Sequence, residues 1–177
     1  VVPLVSMRQS SNFRPAFSTT HVVFATMQRM ITTSLVTNSR DHSVPPAMPF
    51  SVSPLPADQS VDFITTFDCI HDMTHPTDMM KAIRQAIKPD GVWLLVDIKA
   101  LDSFEENARK NPMASLMYGI SVLSCMSSAL SEADGEGLGT LGLSEATARR
   151  MTEAAGFTRF RKLDVEHSVN AFYEVRP

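Results

Sequence analysis

The stretch from Val61 to Ile98 constrains the fold more than any other part of the chain. It runs in order through an apolar strand, a polar cluster, a helix, a Pro-Asp-Gly turn and a second apolar strand. Two strands joined by a helix in this way form a parallel β-α-β crossover. Open parallel sheets bind ligands outside the carboxyl ends of their strands. The polar cluster Asp68–Asp72, which follows the first strand, is therefore the first candidate for a functional site.

Composition excludes several classes of protein. At 177 residues the chain can bury one core but is short for two full domains. No run of about 18 apolar residues exists to cross a bilayer. The net charge of −3 gives no electrostatic reason to expect nucleic acid. Two cysteines, Cys69 and Cys125, cannot form a multi-bridge framework, and this favours reduced thiols in the cytoplasm.

A boundary near residue 54 divides the chain. Residues 1–50 contain four arginines, a single acid, Asp41, and no glycine. Within them, only His21–Thr37 has the apolar spacing of a helix face. An acid-poor leader of this kind could be a transit peptide, a fragment or a misjoined reading frame. We therefore separate an atypical segment, residues 1–54, from a structured portion, residues 55–177.

The structured portion begins with the crossover helix. Pro76 and Asp78 suit the first turn of a helix. Its predicted apolar face comprises Met79, Ile83, Ala86 and Ile87. The segment Lys88-Pro89-Asp90-Gly91 should end this helix and turn the chain into a strand, Val92–Ile98.

The remainder predicts two helices and two strands. A Met-rich helix has mostly apolar residues at three- and four-residue spacings, which predict one buried face: Met113, Leu116, Met117, Ile120, Leu123, Ser127 and Leu130. Ser144 should cap a further helix that ends at Gly156. Thr158–Val165 and Asn170–Val175 are predicted to pair as antiparallel strands.

This order of elements resembles the C-terminal half of a class I S-adenosyl-L-methionine-dependent methyltransferase. The resemblance is carried by D-C-I-H-D at 68–72, K-P-D-G at 88–91, V-D-I-K at 96–99, G-E-G-L-G-T at 135–140 and A-A-G-F at 154–157. More narrowly, the chain is similar to bacterial-type enzymes with a winged-helix domain before the catalytic domain. The resemblance implies a partial Rossmann-like α/β fold, with a mostly parallel sheet and a C-terminal antiparallel strand pair.

The resemblance also implies a site for methylation. S-adenosyl-L-methionine would be the cofactor, contacted by Phe67, Asp68 and Cys69. His71 would be the catalytic residue that accepts a proton from a small-molecule methyl acceptor. Acceptor-binding candidates are Asp97, Met117, Tyr118 and Glu136.

Each of these assignments has a structural alternative. His71 could hydrogen-bond a neighbouring loop, and Asp68 and Asp72 could cap the following helix. An ion pair could account for Asp97 together with Lys99. Methionines at helical spacing are more often core than pocket.

Two motifs imitate other sites. The segment His71–His75 resembles the zinc-binding H-E-x-x-H pattern, but Pro76 disfavours a helix running through both histidines. We therefore expect no metal. The segment Gly135–Gly139 resembles a phosphate loop, yet it follows a helix and is better interpreted as a mobile connection over the acceptor pocket.

Parts of the family's cofactor site are missing from the sequence. Such enzymes have a glycine-rich turn after the first strand and an acid after the second. Here the first glycine is Gly91, the only acid before Asp58 is Asp41, and Ser53-Pro54 stands where a third-strand acid is expected. We expect this chain to bind S-adenosyl-L-methionine weakly or not at all. The alternative is a catalytically inactive pseudo-methyltransferase that acts as a partner or scaffold subunit in a homo- or hetero-oligomer.

Overall fold

The computed structural model describes residues 55–177 and the backbone of residues 22–26. Its strands are β1 (Val22–Thr26), β2 (Val61–Phe67), β3 (Ile87–Ile98), β4 (Arg159–Lys162) and β5 (Asn170–Arg176). Its helices are α1 (Pro76–Ala86), α2 (Phe104–Lys110), α3 (Ala114–Ile120), α4 (Met126–Ala129) and α5 (Glu145–Ala154), and a π-helical segment, Ser121–Cys125, joins α3 to α4. No helix in this described part is long and apolar enough to span a membrane.

The five strands form one sheet in the order β1-β2-β3-β5-β4. Strands β1, β2 and β3 are parallel, whereas β5 is antiparallel to both β3 and β4. The predicted α/β fold with a C-terminal antiparallel strand pair is confirmed. Strand β1 was not predicted: it lies inside the segment His21–Thr37, for which a helix was expected. The sequence Val-Val-Phe-Ala-Thr favours a strand because branched and aromatic side chains suit a pleated surface.

The β2-α1-β3 crossover is confirmed, with Pro76 in the first turn of α1. Met79 packs against the core as predicted, next to the fully buried Met80, whereas Ile87 belongs to β3 rather than to the helix. The segment Lys88–Gly91, predicted as a turn between the helix and the strand, lies inside β3. It interrupts the pairing of the two strands, because Val61 pairs with Ile87 whereas Phe63 pairs with Val92.

Helices α1 and α5 pack on one face of the sheet and share its main core. At the centre of that core lies Trp93, whose Nε1 donates to Thr66 Oγ1 at 3.0 Å and whose ring lies 5.4 Å from that of Phe157. Ser144 caps α5 by accepting from the amide of Thr147, as predicted. Gly156, with φ +94°, follows the end of this helix.

The Met-rich helix is present, but its predicted buried face was wrong. Of the seven residues expected to face the core, only Met117 is buried. The inner face instead consists of Ala114, Met117, Ser121, Cys125 and Ala129. Because these side chains are mostly small, the helix lies close to the rest of the fold. The larger apolar side chains lie on the outer side of the helix.

Gly91 is the position where the crossover tolerates no side chain. A Cβ there would lie 2.7 Å from Ile87 Cγ1 and 3.1 Å from the carbonyl oxygen of Asp62. We expect Gly91→Ala to lower the free energy of unfolding by about 1–3 kcal/mol, because the buried Ile87 must move. The matched control is Gly119→Ala in α3, where nothing lies within 4 Å and a gain of about 0.5–1 kcal/mol is expected. Urea unfolding of both variants measures the difference, and equal effects would contradict it.

Candidate active site

The polar cluster lies where β2 ends at the carboxyl edge of the sheet. Asp68 has a left-handed backbone, with φ +46°, and its amide donates to the Val96 carbonyl of β3 at 3.0 Å. Its carboxylate accepts a hydrogen bond from the side-chain amide of Asn170. Burial and the nearby Asp97 raise the pKa of Asp68. Asp68, at the end of β2, is therefore bonded to β3 through its amide and to β5 through its half-buried carboxylate.

His71 forms the centre of a buried charged group. Its Nδ1 lies 2.5 Å from Asp97 Oδ1, and its Nε2 lies 3.4 Å from Asp72 Oδ1. Asp97 Oδ1 also accepts from the amide of Ile98 at 2.8 Å. All three side chains are at most 3% exposed. Asp97 is the second-to-last residue of β3 and lies on the face that also carries Leu95 and Trp93, so the strand itself directs the carboxylate towards His71.

Two carboxylates around one imidazole favour its protonated form. Burial alone would lower the pKa of His71, but the charge of Asp97, hydrogen bonds to Asp97 and Cys125, and the charge of Asp72 together raise it to about 10. His71 is therefore an imidazolium near neutral pH. A proton on its Nε2 also gives the otherwise unpartnered Asp72 Oδ1 a partner.

The π-helical segment covers this group. Cys125 is completely buried, and its sulfur accepts a hydrogen bond from Thr140 Oγ1 at 2.8 Å. The amide of Thr140 donates to Ser121 Oγ at 3.1 Å. Single-turn π segments occur frequently at functional sites. We call residues 121–125 and 137–140 the cover, because Cys125 contacts His71 and Thr140 bonds both Cys125 and Ser121.

The other predicted site residues do not all lie at one place in the fold. Phe67 is half-buried at the end of β2, and Cys69 is buried, with its thiol pKa raised to about 12 mainly by burial. Asp97 belongs to the His71 group. Tyr118 packs on Phe104 with ring centroids 5.0 Å apart.

Glu136 lies at the start of α1. Its carboxylate accepts from the amide of Thr77 at 3.0 Å and from the Thr77 hydroxyl at 2.6 Å. His75, the residue before the helix, makes no side-chain cap. Glu136 therefore provides the capping that the sequence offered as an alternative role for Asp68 and Asp72. A contact across 59 residues leaves no local signal by which sequence reasoning could have found it.

A cavity of about 540 Å³ opens at the end of β3, beside Ile98. It is lined among others by Ile98, Met113, Met117, Ala171 and Tyr173. Ala171 lies opposite Asp97 in the β3–β5 ladder, and directly opposed residues project from the same face of a sheet. The cavity therefore begins one residue from Asp97, although neither Asp97 nor His71 lines it, and its volume is typical of small-molecule sites.

Among the residues that the structure describes, two groups have the spacing that metal ligands require: His71, Asp72 and Cys125, and separately His75, Glu132 and Asp134. In the first, protonated His71 already pairs with Asp72 and, outside the group, with Asp97. In the second, His75 Nε2 lies 3.3 Å from Glu132 Oε2 on the surface. The two histidines of the zinc-like pattern thus have different partners. That neither group holds a metal stays a prediction.

The sheet order, the polar edge and the antiparallel C-terminal pair define a class I methyltransferase type of α/β fold. A family model described as "Methyltransferase domain" matches residues 13–131. The chain belongs to this methyltransferase family. No curated protein sequence matches the chain.

Solved structures give fold-level similarity. Human N-acetylserotonin methyltransferase, solved in complex with SAM, is 17% identical with a TM-score of 0.49, over 88% of this chain and 39% of that chain. A putative O-methyltransferase from Nostoc punctiforme is 13% identical, with a TM-score of 0.46 over 65% and 31%. A possible exported protein from Bordetella parapertussis is 15% identical, with a TM-score of 0.46 over 69% and 40%. The chain spans less than half the length of each.

Removing the carboxylate of Asp97 should destabilise the protein in a pH-dependent way. The pKa of His71 is raised from 6.5 to about 10, so its pairing stabilises the fold fully below pH 6.5, and this contribution disappears as pH rises through about 10. We expect Asp97→Asn to cost about 3–5 kcal/mol near pH 6.5, the usual penalty for breaking a buried pair. Urea unfolding between pH 6.5 and 10 should show this difference shrinking.

The matched control is Asp78→Asn on α1, where the carboxylate is largely exposed and pairs with Lys81. Its effect on unfolding should stay within about 0.5 kcal/mol at every pH. A loss in Asp97→Asn that does not change with pH would show that His71 is not charged in the folded protein.

Proposed function

We propose that this chain carries out S-adenosyl-L-methionine-dependent methyl transfer to a small molecule, with His71 as the group that accepts the proton. The observation that carries the proposal is the buried His71–Asp97 pair at the carboxyl edge of the sheet. Asp97 holds Nδ1, so proton exchange takes place at Nε2. Asp97 acts as a positioning residue in the same sense as the acid of a catalytic triad.

The residues at the end of β2 fit the cofactor in part. When bound, S-adenosyl-L-methionine supplies an electrophilic methyl group on a sulfonium. Phe67, Asp68 and Cys69 would hold it, and the Asp68 carboxylate, anchored by Asn170, can accept hydrogen bonds from its polar groups. The left-handed backbone at Asp68 supports this assignment, because such backbone conformations cluster at ligand-binding positions.

The cavity beside Asp97 is the proposed acceptor site. Met117, from the predicted acceptor set, lines it together with Met113 and Tyr173. Methionine side chains adapt to irregular apolar ligands. Lys99 and Lys110 add charge at the same cavity. Tyr118 and Glu136 do not line it in the described arrangement, and we assign them to packing and helix capping.

Proton transfer requires the cover to open. In the described state His71 is 1% exposed, and its Nε2 faces Asp72 and the cover, so an acceptor cannot reach it. Movement of the segment 121–125 with the Gly137–Gly139 loop would admit the acceptor and then exclude water again. Methyl transfer is a displacement that depends chiefly on alignment, and a closed cover supplies both alignment and desolvation.

Cofactor affinity is the weak part of the proposed function. Residues 1–90 contain no glycine, so no turn before β3 permits the close backbone approach on which a glycine-rich loop depends. We propose that the chain binds S-adenosyl-L-methionine more weakly than the micromolar range. The chemistry at His71 does not depend on this loop.

Cofactor binding can be tested by calorimetric titration with S-adenosylhomocysteine, backed by ligand-observed NMR for weak affinity. We expect no micromolar binding, a saturable NMR signal, and loss of that signal in Asp68→Asn. The control is Asp90→Asn, an exposed acid in the irregular part of β3, which should bind like the parent chain. A micromolar dissociation constant would disprove the impairment, and a silent NMR experiment would disprove cofactor binding.

The role of His71 predicts a pH dependence of methyl transfer. Only neutral imidazole accepts a proton, and with a pKa of about 10 its neutral fraction rises about tenfold per pH unit up to that value. Transfer of labelled methyl from S-adenosyl-L-methionine to a mixture of small phenols and amines should rise accordingly. His71→Asn should abolish transfer at all pH values, whereas Asp90→Asn should not. Undiminished transfer by His71→Asn would contradict the assignment.

A further inference from the structure

Among the described residues that line the cavity at the end of β3, Tyr173 is the one with a polar side chain that is buried. It is 3% exposed. Its ring packs on Phe160, with the centroids 4.9 Å apart. Its strand, β5, is paired on both sides, with Leu95 of β3 and Lys162 of β4 opposite this residue. The sheet therefore fixes the position of the Tyr173 side chain.

The hydroxyl of Tyr173 has no hydrogen-bond partner among the described residues. Three described side-chain atoms are sealed from solvent without a hydrogen bond, and all of them belong to the His71 group: His71 Nε2, Asp72 Oδ1 and Asp97 Oδ2. The Tyr173 oxygen is not one of these sealed atoms, so it is open to the cavity that its side chain lines. Buried tyrosine hydroxyls usually find a partner, and an unpaired buried donor costs free energy. The cavity therefore contains an unsatisfied polar group.

The surroundings of this hydroxyl keep it protonated. Burial raises the pKa of Tyr173 to about 12, together with the negative charges of Glu145, Asp97 and Asp102. Tyr173 is therefore a neutral O–H donor near neutral pH. A ligand in the cavity can accept this hydrogen bond.

The charged side chains of the cavity offer less to a ligand. Asp102 is exposed to solvent, where a single charge pair contributes little. The three lysines that line the cavity already bond acceptors within the protein: Lys99 bonds the His167 carbonyl, Lys110 bonds Glu106 and Lys162 bonds Glu145. A charged ligand thus finds no buried, unpaired charge in this part of the structure, whereas a neutral ligand with an oxygen atom finds an unpaired donor.

The rest of the wall fits an apolar body. Its apolar side chains include those of Ile98, Leu101, Met113, Met117 and Val169. Ala171 lies two residues before Tyr173, on the same face of β5, and opposite Asp97 in the ladder. Its small side chain leaves space between these two residues. A ligand bonded to Tyr173 can therefore extend over Ala171 towards Asp97.

We propose that the cavity binds an uncharged small molecule with a mainly apolar body and an oxygen atom that accepts a hydrogen bond from Tyr173. Tyr173 is then the residue that determines specificity, because a site built to hydrogen-bond a ligand rejects an analogue that lacks the bonding group. The identification of this molecule as a methyl acceptor rests on the proposed function, whereas the binding site itself does not.

Ligand-observed NMR titration with four probes of similar size tests the proposal. Acetophenone has a neutral accepting oxygen, ethylbenzene lacks it, and benzoate and benzylamine are charged. We expect acetophenone to bind the parent chain most tightly. We expect Tyr173→Phe to weaken acetophenone binding by about three- to tenfold, the usual range for one hydrogen bond, and to leave ethylbenzene binding unchanged.

The matched control is Tyr118→Phe. It removes the hydroxyl of the other tyrosine in the chain, which packs on Phe104 and does not line the cavity. This variant should bind every probe like the parent chain. Equal binding of acetophenone by the parent chain and Tyr173→Phe overturns the proposal. Tighter binding of benzoate or benzylamine than of acetophenone also overturns it, as does an absence of binding by all four probes.

Urea unfolding tests separately whether the Tyr173 hydroxyl is unpaired. Because Tyr173→Phe removes a buried donor that has no partner, the urea midpoint should stay unchanged or rise. A lowered midpoint would show that the hydroxyl is already bonded within the protein, which overturns the proposal.

A methyl-transfer assay separates this inference from the proposed function. Acetophenone binding that depends on Tyr173, without methyl transfer to any acceptor, would refute the proposed function and leave the binding site established. Methyl transfer by the parent chain, with probe binding that Tyr173→Phe does not change, would refute the inference and leave the proposed function intact.

Discussion

The structure depends on one buried interaction, the pair between His71 and Asp97. It joins the loop after β2 to the end of β3, and it places charge where the sheet has no water. Buried ions are costly unless they are paired and hydrogen-bonded. Asp72 on one side and the Ile98 amide on the other provide those additional partners. Around this group the neighbouring elements must exclude water and still supply polar contacts.

The helix that covers the group shows how this requirement is met. Its inner face consists mostly of Ala, Ser and Cys side chains, which allow the backbone to lie close to His71. The π segment adds a residue to one turn and brings Cys125 to the imidazole. With its small residues turned inward, the helix has only its outer side for Leu116 and Leu123. The cover over the site and the apolar surface are thus two consequences of one arrangement.

Sequence patterns predicted what is local and missed what depends on distant contacts. Pro76, Ser144 and Gly156 mark helix ends through chemistry within a few residues, and those predictions are confirmed. Periodicity located the stripe from Met113 to Leu130 correctly but could not say which side of the helix faces the core. The sequence singled out His71 and Asp97 separately. Their pairing across 26 residues follows only from the parallel register of β2 and β3.

We expect the two halves of the proposed site to be unequal for a physical reason. Proton transfer needs a few side chains at the ends of β2 and β3, and these are held by ladder contacts and by the Asn170 anchor. Cofactor binding needs close backbone approach after β1, and the residues that follow Thr26 are Met-Gln-Arg-Met, with no glycine among them. Every Cβ keeps a ligand farther from the amide groups that would bind it. A sheet can therefore retain the geometry for proton transfer while its affinity for the methyl donor declines.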